Sequence, residues 1–135
     1  MLSPYPNFPT NYPPQPYFPS FVGLDFKLVS LKDPNNIHHL KIATQFNNKF
    51  FIYPHTITGT WTNANGTDVK QMTGHITDDY KLTCSWSSDP SKPADHFIYD
   101  AILTWHLFAW KLDGTVTDKT GTIKEGPGDF SGWAV

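Results

Sequence analysis

The sequence contains no arginine, since all ten of its basic residues are lysine. Arginine is the side chain whose planar guanidinium forms paired hydrogen bonds with phosphate groups and with guanine. Its absence, together with a formal net charge of −2, argues against sequence-specific binding of DNA and against a patch that binds anionic membranes. We therefore expect neither a nucleic acid nor a membrane among the partners of this protein.

Charged residues are scarce in general, and glutamate is nearly absent. They make up 16% of the chain, against about a quarter in an ordinary globular protein. Glu125 is the single glutamate, and the other acidic residues are Asp, which favours turns and caps over helix interiors. Aromatic residues, in contrast, reach 16% and suit the pleated surface of a sheet. This composition predicts strands and loops.

Cysteine and paired histidines are lacking as well. Cys84 is the only cysteine, so no intramolecular disulfide can form, and we interpret it as a small buried apolar residue. His38 and His39 are adjacent on a predicted strand and therefore face opposite sides, and the other histidines show no ligand spacing. We predict no metal site and no cofactor.

Long apolar runs are also absent. None approaches the roughly 18 residues that a membrane-spanning helix needs. The first residues, MLSPYPNFPTNYPPQ, lack the basic segment and the apolar segment of a secretory signal. The sequence therefore predicts a cytoplasmic protein.

Residues 1–20 form an N-terminal arm whose composition differs from that of the remaining chain. The arm carries seven of the twelve prolines, interleaved with aromatic residues. Because proline fixes φ and removes an amide donor, we predict an extended arm. Three interpretations of this arm are open. It is a disordered tail, or it packs on its own barrel or on a neighbouring subunit, or it is a ligand for domains that bind proline-rich segments. A homo-oligomer held through the arm is accordingly one expectation.

Residues 21–135 read as a single domain of short strands joined by turns. Apolar residues recur with a period of two, as in residues 22–28, and turn signals such as Asn65 with Gly66 follow the strands. We predict strands at residues 21–31, 37–44, 49–53, 56–62, 69–77, 80–87, 96–111, 114–118, 120–124 and 130–135. This pattern predicts an all-β fold: a small antiparallel β-barrel, or a barrel-like sandwich, of about eight to ten strands.

Residues 96–111, HFIYDAILTWHLFAWK, form a long and largely apolar segment. Alternation and the β-favouring composition predict one long strand, with an amphipathic helix as the alternative, followed by a turn at Asp113 and Gly114. Because Trp105 and Trp110 are separated by an odd number of residues, one regular strand would direct them to opposite sides.

Tryptophans and two polar residues are the candidate functional side chains. Trp61, Trp86, Trp105 and Trp110 either fill the core or line the mouth of a cavity for a small apolar or cyclic ligand. Asp100 interrupts an apolar run, so it either faces solvent or is a buried acid. We take Asp100 and His106 as the candidate acid and base of an enzyme.

The stretch TITGTWTNANGT, residues 56–67, resembles the first strand and turn of avidin-like proteins. Lipocalins share the Gly-x-Trp element, so the wider resemblance is to the calycin group of ligand-binding barrels. The segments KLTCSW and TWHLFAWK look similar to later strands of that group. The resemblance implies that Asn63 and Thr67 meet the polar head of a ligand, and that Trp86 and Trp110 wall its ring. The chain departs from that group because some 55 residues precede its Gly-x-Trp element. We therefore expect the early strands, within residues 21–53, to complete the barrel in a different order.

Three functions remain open at this point. The leading hypothesis is a β-barrel that binds a small, largely apolar ligand in an aromatic-lined pocket. The second is a small barrel cyclase or isomerase that acts on an apolar substrate resembling a natural product, so whether the chain is an enzyme stays open. The third is a lectin-like or self-assembling interaction module.

Overall fold

The computed structural model describes residues 18–46, 55–86, 97–118 and 128–135. These residues form eight strands, and no helix occurs within them. The strands are β1 (Asp25–Ser30), β2 (Ile37–Phe46), β3 (His55–Asn63), β4 (Val69–Ile76), β5 (Lys81–Trp86), β6 (Phe97–His106), β7 (Ala109–Asp118) and β8 (Gly128–Ala134). The expected strands at residues 49–53 and 120–124 lie outside the described residues.

The eight strands close into one antiparallel barrel. Each strand pairs with the next along the chain, and β8 pairs with β1. The all-β barrel predicted from composition and alternation is therefore confirmed, and it is compatible with a calycin-type barrel. The strand order is a simple meander, so β1 and β2 precede the Gly-x-Trp strand β3 without any rearranged connection.

The middle of the barrel is filled by aliphatic side chains. On β6, Tyr99, Ala101 and Leu103 are buried while Asp100 and Ile102 are exposed, which is the period of two expected of a strand. Side chains from five strands meet in the centre with at most 1% of their surface exposed: Leu40, Ile42, Ile57, Met72, Leu82 and Leu112. Fully burying such a side chain contributes about 1.5–3 kcal/mol. The centre is thus a packed core that separates the two ends of the barrel.

We name the two ends by the strands that finish there. The upper end holds the end of β1, β3 and β5 and the start of β2, β4 and β6. The lower end holds the opposite termini of these strands, the turn between β6 and β7, and residues 18–24. Phe21 belongs to the buried core at the lower end, and Phe18 from the end of the arm packs against that core. Residues 1–17, and with them most of the predicted arm, lie outside the described part.

The prediction of one continuous strand over residues 96–111 is wrong. A two-residue turn at Leu107 and Phe108 divides the segment into β6 and β7, and Asp113 and Gly114, the predicted turn, lie inside β7. Because the chain reverses, Trp105 pairs directly with Trp110, and both rings lie on the same side with their centroids 5.3 Å apart. Sequence reasoning missed this turn because it contains no Gly, Asn or Asp.

Leu107 and Phe108 both adopt the left-handed backbone conformation, with φ of 52° and 64°. A two-residue hairpin turn of this type favours Asn followed by Gly, and other residues lose about 1–2 kcal/mol each there. Replacing Leu107→Asn together with Phe108→Gly is therefore expected to raise the free energy of unfolding by about 1–2 kcal/mol, measured by urea denaturation. The variant Leu107→Ser with Phe108→Ser controls for lost apolar surface, and equal stability of the two variants would contradict the argument.

Gly59, the glycine of the Gly-x-Trp element, lies at a close approach between β2 and β3. A β-bulge between Ile42 and Thr44 faces it, and an added Cβ at Gly59 would lie 1.9 Å from the carbonyl oxygen of Lys41. No side chain fits there without moving backbone. The close approach of the two strands therefore requires glycine at this position, whether or not a ligand binds.

Replacing Gly59→Ala is accordingly expected to lower the free energy of unfolding by about 3 kcal/mol or to prevent folding, because the clash is with backbone. Thermal unfolding followed by near-ultraviolet circular dichroism measures the loss. Thr60→Ala on the outer side of the same strand is the matched control, for which we expect a loss below about 1 kcal/mol. Similar losses in the two variants would show that the close approach does not constrain this position.

Candidate ligand-binding site

An aromatic cluster fills the upper end of the barrel. Trp61 on β3 stacks on Trp86 on β5, with ring centroids 4.1 Å apart and planes 14° from parallel. Trp86 in turn stacks on Phe97 of β6 at 5.4 Å and 13°. Tyr99 and Phe130 flank Trp61 with tilted and perpendicular rings. The alternation of each strand directs these side chains inward, and together they form a column of three nearly parallel rings.

His38 ties this column to the neighbouring strand. The indole N–H of Trp61 donates to Nδ1 of His38 at 2.9 Å, which places the proton of the neutral ring on Nε2. That nitrogen donates to Oδ1 of Asn36 at 2.9 Å. Burial lowers the pKa of His38 below its usual value, and the negative charge of Asp68 and the backbone of Thr62 oppose the shift. The ring is therefore held neutral, in one tautomer.

The predicted polar contacts, Asn63 and Thr67, are brought together at the rim of the upper end. The side-chain amide of Asn63 donates to Oγ1 of Thr67 at 3.0 Å, and its carbonyl oxygen accepts from the backbone N–H of Asp68 at 3.0 Å. Thr67 donates to Oδ1 of Asn65 at 2.7 Å. These bonds build the turn between β3 and β4. Their role as ligand contacts stays a prediction.

Lys70 is a residue of the candidate site that sequence reasoning missed. It pairs with Trp61 across β3 and β4, so both side chains lie on the inner side of the sheet. Its ammonium group is 2.6 Å from Oδ1 of Asp68, and only 25% of the side chain is exposed. Counting outward from the turn at Asn65 and Gly66 would have found this pair, because a tight hairpin turn determines the register of its two strands.

The four predicted tryptophans do not share one pocket. Trp61 and Trp86 lie at the upper end, whereas Trp105 and Trp110 lie at the lower end. Trp110 stacks on Tyr80 at 5.6 Å and contacts Phe21 edge-on at 4.8 Å. The aliphatic core separates the two pairs, so a single small ligand cannot touch all four rings.

Asp100 and His106, the predicted acid and base, lie on the outer face of β6. Both are exposed, so the solvent-facing interpretation of Asp100 is the correct one. Asp100 accepts a hydrogen bond from the hydroxyl of Thr83 at 2.8 Å, and the His106 ring lies 5.9 Å from that of Trp133. Neither side chain faces the interior of the barrel. Their catalytic roles stay predictions without a pocket around them.

Two buried titratable groups inside the barrel are kept protonated. Burial raises the pKa of the Cys84 thiol, and the charge of Asp100 adds to the effect, so Cys84 is the buried apolar residue predicted from the sequence. Burial likewise raises the pKa of the Tyr99 phenol, whose hydroxyl donates to the carbonyl oxygen of Phe130 at 3.3 Å. A protonated thiol is a poor nucleophile. Over the described ranges, no three His, Cys, Asp or Glu side chains converge on a metal position.

A shallow groove of about 540 Å³ crosses the outer face of the barrel. Its lining comes from β3 to β6: Thr56, Thr73, Gly74, His75, Thr83, Cys84, Ser85 and Ile98. The groove is rich in hydroxyl groups and has a single ring, that of His75. Carbohydrate sites usually stack a sugar on an aromatic face, and the described lining offers no Trp, Tyr or Phe for this.

No protein-family model, no curated protein and no solved structure matches this chain. None of the described residues forms a helix that is long and apolar enough to cross a membrane.

The low pKa of His38 predicts how stability changes with pH. Between its folded pKa and the unfolded value of about 6.5, the unfolded chain binds more protons than the folded one. The free energy of unfolding should therefore fall as the pH drops through this range. Replacing His38→Gln, which keeps an acceptor for the Trp61 indole, should make the pH dependence shallower.

Denaturation at pH 7.5 and pH 5 measures this difference. The same replacement at His39, which lies on the outer side and contacts Asp25 at 3.2 Å, is the matched control and should leave the His38 contribution in place. A His38→Gln chain that loses as much stability as the unaltered chain on acidification would contradict the assignment.

Proposed function

We propose that this protein is a non-catalytic barrel that binds a small, largely apolar and planar molecule at its upper end. The observation that carries the proposal is the ring column of Trp61, Trp86 and Phe97, with polar side chains gathered beside it. Ligand pockets typically combine aromatic walls with a few well-placed polar groups. The upper end has this composition, and the aliphatic centre of the barrel does not.

The chemistry of the rim suggests the class of ligand. The three rings of the column are only 3–7% exposed, so we propose that a flat ring enters at one end of the column. Offset stacking there would contribute about 0.5–1.5 kcal/mol beyond the buried area. Lys70 supplies a cation on the inner side of the sheet beside Trp61, where it forms an ion pair with the more exposed Asp68. A charged hydrogen bond between Lys70 and a carboxylate would orient the ligand. We therefore favour a fused-ring or cyclic molecule that bears one anionic group.

The resemblance to calycin barrels supports a ligand site at the same, upper end of the barrel. It implied that Asn63 and Thr67 meet the polar head of a ligand and that Trp86 walls its ring, and these residues lie together at the upper end. Trp110, also implied by the resemblance, lies at the lower end, as does Trp105. In our proposal neither contacts this ligand.

The alternatives receive less support. A cyclase or isomerase would need an acid or base in contact with its substrate, whereas Asp100 and His106 both lie outside the barrel. The outer groove lined by hydroxyl groups suits an interaction module better than a catalyst, but its described lining lacks the aromatic surface of a lectin. Binding without catalysis is therefore the function we propose.

Calorimetric titration with 2-naphthoate, a fused-ring carboxylate, tests the proposal. We expect saturable binding with one site, and replacing Lys70→Met should weaken it about tenfold because one charged hydrogen bond is lost. The neutral probe 2-naphthamide should bind the unaltered chain and the Lys70→Met chain alike. This comparison separates the loss of charge from a general disturbance of the site.

Paired tryptophan variants locate the site. Replacing Trp86→Leu should abolish binding of 2-naphthoate, whereas Trp133→Leu, which removes an outward-facing ring that is 37% exposed, should leave it unchanged. Unaltered binding to the Trp86→Leu chain would move the site away from the upper end. Absence of binding at millimolar concentration would exclude planar aromatic carboxylates as the ligand class.

A further inference from the structure

The lower end of the barrel holds a short segment of the chain itself, residues 18–21, with the sequence Phe-Pro-Ser-Phe. The Phe18 ring stacks on His55 at 4.0 Å and 15°, and on Tyr80 at 5.1 Å and 27°. Phe21 is fully buried and meets the edge of Trp110. The two phenyl rings thus occupy an aromatic cleft whose walls belong to β3, β7 and the turn before β5.

Gln45 recognises the backbone of this segment. Its side-chain nitrogen donates to the carbonyl oxygen of Pro19 at 2.9 Å, and its side-chain oxygen accepts from the N–H of Phe21 at 2.8 Å. The side-chain amide of Gln45 therefore forms hydrogen bonds with a backbone acceptor and a backbone donor that are two residues apart. The side chain between them, Ser20, is exposed and contributes no ring contact to the cleft.

The walls of the cleft are held in place by other interactions. His55 is 6% exposed, and its Nε2 donates to Oδ1 of Asp78 at 2.8 Å, so one face of the ring remains turned to Phe18. Tyr80 adopts a left-handed backbone conformation with φ of 66°. Such strain in a bulky residue is characteristic of ligand sites and clamps. The Tyr80 ring lies between the rings of Phe18 and Trp110.

The same four-residue pattern occurs once more in the sequence. Residues 5–8 read Tyr-Pro-Asn-Phe, and no other stretch has an aromatic residue, Pro, any residue and an aromatic residue in this order. The two segments differ at their first and third positions, and the cleft accommodates both differences. Phe18 is only half-buried, so a tyrosine hydroxyl has access to water there, and the exposed third position accepts Asn in place of Ser. The fully buried fourth position is Phe in both segments.

We propose that the lower end is a recognition cleft for an aromatic-Pro-x-Phe segment, and that it binds residues 5–8 of a second copy of this chain. Residues 18–21 are its occupant within one chain. Nine residues separate the two segments, a span of up to about 30 Å when extended, which is enough to reach a neighbouring barrel. The contact joins two different surfaces, so it links copies head to tail.

Residues 18–21 of each chain compete with residues 5–8 of a second copy for the same cleft. A tethered segment acts at an effective concentration in the millimolar range, so binding in trans should grow with protein concentration or when the tethered segment is weakened. Replacing Phe18→Ala removes one of its two rings and leaves the buried Phe21 in place.

A labelled peptide of residues 1–13 tests the proposal by fluorescence anisotropy. Two full-length receiving chains carry Tyr5→Ala and Phe8→Ala, and one of them also carries Phe18→Ala. We expect the peptide to bind the chain with Phe18→Ala at least tenfold more tightly than its matched control. Adding Gln45→Ala should remove that binding, and so should the changes Tyr5→Ala and Phe8→Ala in the peptide.

Equal affinity of the two receiving chains, or undiminished binding after Gln45→Ala, overturns the proposal. Should Phe18→Ala prevent folding, sedimentation of the unaltered chain at rising concentration decides instead. Association that is lost in the chain with Tyr5→Ala and Phe8→Ala supports the proposal. A chain that stays monomeric up to millimolar concentration, or association that survives these two changes, contradicts it.

Discussion

Closure of the sheet between β1 and β8 is the constraint on which the remaining structure depends. The two strands pair over five residues on each side, and they approach so closely that a Cβ on Gly132 would lie 1.7 Å from the carbonyl oxygen of Lys27. Once this seam is closed, each described strand has two neighbours and its backbone donors and acceptors are paired. Closure also assigns every alternate side chain to the inside or to the outside of the barrel.

The inside is divided along the barrel axis by the kind of side chain. Aliphatic residues such as Leu40, Met72 and Leu112 fill the centre, and rings collect at both ends. Aromatic side chains combine a large buried area with directional contacts, which makes them suitable for a surface that can exchange one occupant for another. The upper end adds Lys70 and His38 to its rings, whereas the lower end adds the amide of Gln45. In our two proposals, the two ends of this barrel bind different partners.

Much of this arrangement was predictable from the sequence, because alternation is a local signal. The strand at residues 56–62, and the face that Trp61 shares with its alternate neighbours, follow from a period of two and a nearby Asn-Gly turn. The shared face of Asp100 and His106 follows in the same way, but alternation does not say whether that face is inner or outer. The relation of Trp105 to Trp110 was beyond prediction, since the turn between them uses Leu and Phe. Packing of the two indole rings against each other helps to hold that unfavourable backbone.

The sequence by itself determined that the chain is all-β, where most strands lie, and which residues alternate along each of them. Composition and a two-residue period are sufficient for this, since both act over a few neighbouring residues. Only the tertiary structure decided which tryptophans share an end, that Lys70 stands beside Trp61, and that residues 18–21 occupy the lower end. These relations join residues far apart in the chain. They depend on how the sheet closes and on which rings then meet inside it, and no local pattern specifies either.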